Sequence, residues 1–145
     1  MLVGIDIGGT SVKCGLVTLE GKLIERSQKI IEANSPDDVA DLCEKLAKEV
    51  VEKAEMDWSY VAGVGLGCPG QIDKGNIFAA ANFPHWKNVP LEQMIHERVQ
   101  KPVILVNDAD AAIAAEHWVG TASGLQHFLM LSKLIFYAIS CNIIV

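Results

Sequence analysis

The segment from Asp6 to Lys13 combines one acid, two glycines, two hydroxyl residues and a lysine. A carboxylate at the end of an apolar strand is costly unless a cation or a hydrogen-bond network pairs with it. Glycines followed by hydroxyl residues leave backbone N–H groups free, and these form a concavity that suits phosphate. A Gly8-Gly9 pair is equally common in plain hairpin turns, so both interpretations stay open at this point.

The segment Gly65–Gly70 matches the pattern GxGxxG. A dinucleotide site needs a helix directly after this pattern, so that the helix N-terminus faces the pyrophosphate. Pro69 and the turn-like segment 71–75 follow instead, so we reject a dinucleotide site. A tight loop lining a small-molecule cleft and a purely structural loop remain as alternatives.

Asn107 and Asp108 stand where an apolar strand ends and an alanine-rich helix begins. In α/β sheets, ligands bind outside the carboxyl ends of the strands. An aspartate there can hydrogen-bond a sugar hydroxyl and accept its proton. Aspartate is also a favoured helix N-cap, and the residues alone favour that structural role. The loop Asn82–Trp86 places an amide beside two aromatics, a combination found both in sugar sites and in turns.

The pattern of apolar, polar and turn residues predicts the elements that position these residues. Short links between three strands favour an antiparallel meander. Strands that alternate with helices after it indicate an α/β sheet. The predicted elements are strands 2–7, 12–17 and 23–27, a helix opened by Ser35 and Pro36, a strand 61–66, a loop-like stretch 68–88, a helix 91–99, a strand 103–106, a helix 109–118 and a strand 127–131.

The composition is that of one globular domain: 145 residues, 50% of them hydrophobic and 21% charged. Eighteen acids against twelve bases give a net charge of −6, which argues against nucleic-acid binding as the main role. Eight of the acids lie between Ser35 and Asp57, where the pattern predicts the solvated face of a surface helix.

The four cysteines are scattered and form no CxxC pair, so no direct zinc motif is indicated. Scattered cysteines without a secretory leader predict a cytoplasmic protein. The apolar stretch 134–145 is shorter than the about 20 residues that cross a membrane, so we expect no membrane anchor.

Together, the segments resemble the ROK family of sugar kinases and repressors, and within it the bacterial-type glucokinases. The order and spacing of several segments carry this resemblance. They are Gly4–Thr10, Gly65–Gly70, Asn82–Trp86, Val106–Ala109, and Glu116 with Gly120.

The resemblance implies a ribonuclease-H-like fold, shared with actin and hexokinase, with a mixed sheet and helices. It implies an enzyme that transfers the γ-phosphoryl group of ATP to a hexose, with Mg²⁺ as cofactor (glucokinase or N-acetylhexosamine kinase type). By this resemblance Asp6, Gly8, Gly9, Thr10, Ser11 and Lys13 face ATP phosphates and Mg²⁺. Gly70, Gln71, Asn82, Asn107 and Asp108 line the sugar pocket, and Asp108 is the catalytic base.

The sequence also departs from the family pattern. Family members are longer, and a glycine-rich GTGxGGG phosphate loop is expected where Lys133–Tyr137 stands. The ExGH sugar motif and the cysteine-rich zinc motif are absent. The resemblance therefore predicts an N-terminal kinase lobe (1–120), the start of a C-terminal lobe (121–132) and a divergent apolar tail (133–145).

Such a truncated chain is expected to be weakly active or inactive alone. The alternative is a non-catalytic sugar-binding or interaction fragment, as a homo-oligomer or paired with a full-length form. A repressor is not favoured, because the phosphate turn begins at Asp6 and leaves no room for a preceding DNA-binding domain.

Overall fold

The computed structural model describes residues 1–130. They belong to two compact units, one spanning Met1–Ala111 and a second that begins at Ala112. A short 3₁₀ helix, Trp58–Tyr60, follows the first α-helix. In chain order the other elements are β1 (Leu2–Ile7), β2 (Ser11–Val17), β3 (Leu23–Ile30), α1 (Pro36–Lys53), β4 (Gly63–Cys68), β5 (Gln71–Asp73), β6 (Asn76–Ala79), α2 (Leu91–Val99), β7 (Val103–Asn107) and α3 (Asp108–Val119).

The first unit is built on a five-stranded mixed sheet with the order β3-β2-β1-β4-β7. The meander β1–β2–β3 is antiparallel, as predicted, and β3 continues three residues beyond its predicted end. β4 pairs with β1 in parallel, and β7 pairs with β4 in parallel. The carboxyl ends of β1, β4 and β7 therefore lie at the same edge of the sheet.

The core lies on one face of this sheet, against α1 and α2. Alternate residues of β1 point into it, so that Val3, Ile5 and Ile7 are buried while Gly4 and Asp6 are exposed. A period of two is expected for a strand with one covered face. We call the covered side the core face and the opposite side the glycine face. The core face carries Val3, Ile5, Ile7, Val12, Cys14, Leu16, Val64, Leu66 and Cys68, and the glycine face carries Gly4, Asp6, Lys13, Gly15, Gly65 and Gly67.

The N-terminus of α1 has the predicted cap. Ser35 Oγ accepts a hydrogen bond from the Asp38 backbone N–H at 3.2 Å, and Pro36 opens the helix. The acidic face of α1 also forms ion pairs with neighbouring elements, although Asp37 and Asp41 remain largely exposed. Arg98 of α2 pairs with Asp37 and Asp41, at 2.8 and 2.6 Å.

Glu49 of α1 accepts hydrogen bonds from Lys29, Lys53 and Ser27, and these lower its pKa to about 2. Two of these donors, Lys29 and Ser27, belong to β3. The Glu49 cluster therefore links the helix to the edge strand of the sheet.

The stretch 68–88 is not the continuous loop that the sequence predicts. It contains the hairpin of β5 and β6, in which Asp73 pairs with Asn76 across a two-residue turn. Both turn residues, Lys74 and Gly75, have positive φ, at 47° and 77°. Hairpin turns of this type usually carry Asn or Asp before Gly, so lysine at the first position weakens the sequence signal.

Three free cysteines lie buried in the first unit: Cys14, Cys43 and Cys68. Burial, with a smaller contribution from Glu49, raises the pKa of Cys14 to about 12. Burial also raises the pKa of Cys43, and the nearby Cys14 and Cys68 add to that effect. These thiols are therefore protonated at neutral pH.

The second unit contains the end of α3 and the turns that follow it. Glu116 Oε2 accepts hydrogen bonds from the backbone N–H and the hydroxyl of Thr121, at 2.9 and 3.1 Å. A side chain at Gly120 would collide with the same carboxylate, which accounts for the glycine there. The predicted strand 127–131 is wrong for 127–130, which form no strand, and Leu131 lies outside the described residues.

Among residues 1–130, no helix has both the length and the apolar character needed to cross a bilayer. The apolar stretch 134–145 lies outside the described residues.

Candidate functional site

The sheet register aligns the ends of three strands that carry candidate residues. Asp6 of β1 is opposite Gly67 of β4, and Gly67 is opposite Val106 of β7. Asn107 follows directly and pairs with Cys68. The opening turn and the β7–α3 junction thus meet at one edge of the sheet.

The opening turn has the features of an anion-binding loop. Gly8 N–H donates to the Ser11 carbonyl at 2.9 Å, and Ile31 N–H donates to the Thr10 carbonyl at 3.0 Å. Within residues 1–130, the N–H groups of Gly9 and Thr10 donate to no protein acceptor. Adjacent free N–H groups in a turn bind anions such as phosphate.

Asn82 lies directly against this turn. A Cβ on Gly9 would come within 2.8 Å of the Asn82 Cγ atom, so a larger residue at position 9 would displace that side chain. Ser11 is held from the other side, because its Oγ accepts a hydrogen bond from Gln28 of β3 at 3.0 Å. No sequence pattern singled out Gln28, since it acts only after β3 has paired with β2.

Asp6 is not buried, which corrects the expectation of a costly carboxylate at the strand end. Its side chain is 54% exposed and lies 3.4 Å from the Lys13 ammonium group, which is 60% exposed. An exposed pair of this kind adds little stability. Both side chains lie on the glycine face, where a ligand can reach them.

At the β7–α3 junction, one residue caps the helix and its neighbour is the candidate base. Asn107 Oδ1 accepts from the Ala109 N–H at 2.9 Å, which makes Asn107 the N-cap of α3. Asp108 Oδ1 contacts the same N–H at 3.0 Å, and its side chain is exposed. Because Asn107 caps the helix, capping does not by itself account for Asp108.

Asp108 lies over the same part of the sheet as Asp6. A Cβ on Gly67 would be 3.7 Å from the Asp108 Cα and 3.4 Å from the Ala111 Cβ, so α3 begins above Gly67. Burial raises the pKa of Cys68 to about 12, and the negative charges of Asp108 and Asp6 both add to this. The negative charges of two carboxylates therefore raise the pKa of one thiol at this edge.

The β5–β6 hairpin adjoins the junction at Gly70. Asn107 Nδ2 donates to the Gly70 carbonyl at 3.0 Å. Gly70 has a φ of +134°, and a Cβ there would lie 2.5 Å from the Ala79 carbonyl oxygen, so only glycine fits. Gln71 follows at the start of β5 with an exposed side chain.

The two aromatics of the loop Asn82–Trp86 belong to the core. Phe83 and Trp86 stack with ring centroids 4.2 Å apart, and both are buried. Trp86 Nε1 also donates to the Asn34 carbonyl at 2.8 Å. Neither ring is free to stack on a sugar, whereas the Asn82 side chain is exposed and can reach a ligand.

Within residues 1–130, no cluster of three or more His, Cys, Asp or Glu side chains gathers to hold a metal ion. Mg²⁺ commonly uses only one or two carboxylates together with water and substrate phosphates. Asp6 and Asp108 at one edge of the sheet fit that donor set.

A sequence model of the ROK family matches residues 2–132. The chain belongs to the ROK family. The glucokinase of Thermotoga maritima is 35% identical over 134 residues, which are 90% of this chain and 41% of that protein. A ROK family glucokinase from Streptomyces griseus, crystallised in complex with glucose and AMPPNP, is 28% identical with a TM-score of 0.77; the match covers 87% of this chain and 39% of that one.

The family also includes regulators. A putative xylose repressor of Caldicellulosiruptor sp. is 28% identical over 135 residues, which are 91% of this chain and 34% of that protein. The ROK chain described here has the actin/hexokinase-type fold of a sugar-kinase N-terminal lobe, which confirms the predicted fold class. It spans about 40% of the length of the curated glucokinases that it matches.

Proposed function

We propose that this chain supplies the phosphate turn, the acceptor-side loops and the catalytic base of an ATP-dependent hexose kinase. One observation carries the proposal: the exposed Asp108 carboxylate and the turn with free N–H groups share one edge of the sheet. The glucokinase relatives support sugar phosphorylation, and the AMPPNP complex of one of them supports ATP as the phosphoryl donor.

In this mechanism the N–H groups of Gly9 and Thr10 hold phosphate oxygens, and Lys13 adds a positive charge. Phosphoryl transfer depends chiefly on positioning and charge neutralisation. Bound Mg²⁺ would neutralise phosphate charge, and Asp6 is the carboxylate of the turn that can orient it. The free N–H groups of the turn suit phosphate oxygens, and the exposed Asp6 carboxylate suits Mg²⁺.

On the acceptor side, Asn107 holds Gly70 in place, and the exposed side chains of Gln71 and Asn82 face solvent. They would hydrogen-bond sugar hydroxyls. The Asp108 carboxylate would accept the proton of the attacking hydroxyl, a step that typically contributes about 10²–10⁴-fold to the rate.

Asp108→Asn tests the catalytic base. Because this chain spans about 40% of its glucokinase relatives, the test uses a chimera that continues into the remaining part of the Thermotoga maritima glucokinase. The expected result is a loss of kcat of at least about 100-fold with glucose binding retained. Asp110→Asn is the matched control, because it removes an exposed carboxylate from the same first turn of α3. An unchanged kcat in Asp108→Asn would remove Asp108 from the mechanism.

The 145-residue chain by itself is proposed to be weakly active or inactive, with 1–120 as the kinase lobe, 121–132 as the start of a second lobe and 133–145 as a divergent tail. A closed cleft that excludes water needs both sides of the site. ADP release measured with glucose, fructose and N-acetylmannosamine checks this. Turnover above about 1 s⁻¹, an ordinary enzymatic rate, would contradict it.

The second candidate is a non-catalytic sugar-binding fragment that pairs with a second copy or with a full-length form. The similarity to a xylose repressor favours it. Calorimetry with glucose and with MgATP separates the two. Binding of glucose alone favours the fragment, and binding of both ligands favours the kinase lobe.

The three free buried cysteines fit a reducing compartment such as the cytoplasm.

A further inference from the structure

Glu92 occupies the side of β7 with which no other strand of residues 1–130 pairs. This strand is the last in the sheet order, and the backbone N–H of Leu105 within it donates to Glu92 Oε2 at 2.8 Å. Glu92 belongs to the first turn of α2, thirteen residues away in sequence. A partly buried N–H without an acceptor is unfavourable, so this carboxylate takes the place of a neighbouring strand.

The same residue contacts the turn of the β5–β6 hairpin. Glu92 N–H donates to the Gly75 carbonyl at 3.2 Å. A Cβ on Gly75 would lie 2.9 Å from both the Cβ and the Oε1 atoms of Glu92. Gly75 also has a φ of +77°, so both conformation and contact require glycine where the hairpin meets Glu92.

The hairpin is therefore attached to β7 at both of its ends. At its base, Asn107 donates to the Gly70 carbonyl. At its turn, Glu92 joins Gly75 to Leu105. The segment between these attachments includes Gln71, and β7 leads directly into Asp108. Any shift of the hairpin relative to β7 changes the distance between the acceptor-side loop and the candidate base.

We propose that Glu92 is a positioning residue that holds the β5–β6 hairpin in register with the β7–α3 junction. The inference rests on the proposed function only in assigning Gln71 and Asp108 to the sugar side of the site. Glu92 acts through Leu105 and Gly75.

If Glu92 only stabilised its own helix, its variants would behave differently. An acidic side chain in the first turn of a helix also stabilises that helix through its charge. Glu92→Gln removes the charge and keeps an oxygen of the right reach, whereas Glu92→Asp keeps the charge and shortens the reach. If the hydrogen bond to Leu105 is what matters, the glutamine variant behaves like the wild type and the aspartate variant does not.

The experiment measures amide hydrogen exchange at Leu105 and at residues 71–75 in the 145-residue chain, and glucose affinity in the chimera used for Asp108→Asn. In Glu92→Asp we expect exchange at these amides to be about tenfold faster and glucose affinity about tenfold lower, since one such hydrogen bond corresponds to roughly that factor. In Glu92→Gln both quantities should stay within about threefold of the wild type. Glu97→Ala is the control, because it removes an exposed carboxylate from the same helix without touching β7.

Circular dichroism establishes that each variant folds. Unchanged exchange at Leu105 and the hairpin in Glu92→Asp would overturn the inference, as would a glutamine variant as impaired as the aspartate variant. If the chimera with unchanged Glu92 binds no glucose, the proposed function fails, while the exchange rates still decide whether Glu92 holds the hairpin. If glucose binds and exchange changes without any change in affinity, the proposed function stands and the positioning role is wrong.

Discussion

The core face and the glycine face of the sheet differ sharply, although alternating residues of the same strands form them. The core face carries branched apolar side chains and cysteines that pack against α1 and α2. The glycine face carries Gly4, Gly15 and Gly65 side by side across three strands, next to the Asp6 and Lys13 pair. At Gly4 and Gly65, a Cβ would meet no atom of residues 1–130 within 4 Å.

Because of this difference, we expect the core face to govern stability and the glycine face to govern ligand access. Packing on the core face supplies the apolar burial that drives folding. Most of the glycine face adds little to that burial, since α3 covers it only near Gly67, and the opening turn and Asp108 lie at its edge. Substitutions on the two faces should therefore affect different measurements.

The largest effect on stability is expected from Leu66→Ala on the core face. Leu66 is 1% exposed and pairs in register with Ile5 and Leu105. Removing it leaves a cavity that should lower the free energy of unfolding by about 2–5 kcal/mol. Urea unfolding followed by circular dichroism measures this. A loss under about 1 kcal/mol would show that the core face does not depend on close packing at this position.

Gly67→Val should combine a moderate loss of stability with a larger loss of ligand binding. Its side chain would press on Ala111 and on the backbone of Asp108, so overpacking should cost about 1–3 kcal/mol. Glucose affinity should fall further, because the start of α3 moves. Gly67→Ala is the control, since a single Cβ there meets only ordinary contacts. Equal affinities in the two variants would contradict the placement of Asp108 above Gly67.

A smaller effect with a defined pH dependence is expected at Glu49. Its pKa is lowered from 4.5 to about 2, so the carboxylate stabilises the fold above about pH 4.5, and this contribution is lost as the pH falls towards 2. Glu49→Gln should be less stable than the wild type at pH 6 by at most about 1 kcal/mol, because solvent screens the ion pairs. Urea midpoints at pH 6 and pH 2.5 check this. A gap between the two proteins that widens towards low pH would contradict the assignment.

The smallest effect is expected from Gly65→Ala, next to Leu66 but on the opposite face. The added Cβ meets no other atom of the described part of the chain, and alanine restricts the unfolded chain more than glycine does. The free energy of unfolding should stay the same or rise by about 0.5–1 kcal/mol. A clear loss of stability would show that the glycine face is packed at Gly65 as well as at Gly67.

The core face was predictable because its signal is local. The apolar run Leu2–Ile7 that ends at Gly8-Gly9 predicts β1 with its observed bounds, and Ser35 followed by Pro36 predicts the start of α1. The same patterning missed the β5–β6 hairpin, whose strands of three and four residues are too short to show a period.

The site was less predictable, because its contacts join residues that are distant in sequence. Asn82 reaches Gly9 only after the sheet and the hairpin have formed, and Glu92 reaches Leu105 only once α2 has packed beside β7. From the residues alone, Asp108 was better explained as a helix cap. The structure assigns the cap to Asn107, a distinction that requires side-chain positions.

The buried thiols of Cys14 and Cys43 have a practical consequence. An alkylating reagent attacks the thiolate, and these two groups are both shielded and protonated at neutral pH. The reagent can therefore label Cys14 and Cys43 only after β2 and α1 have separated. The rate at which these cysteines are modified in the native protein thus reports how often its interior opens, without any added probe.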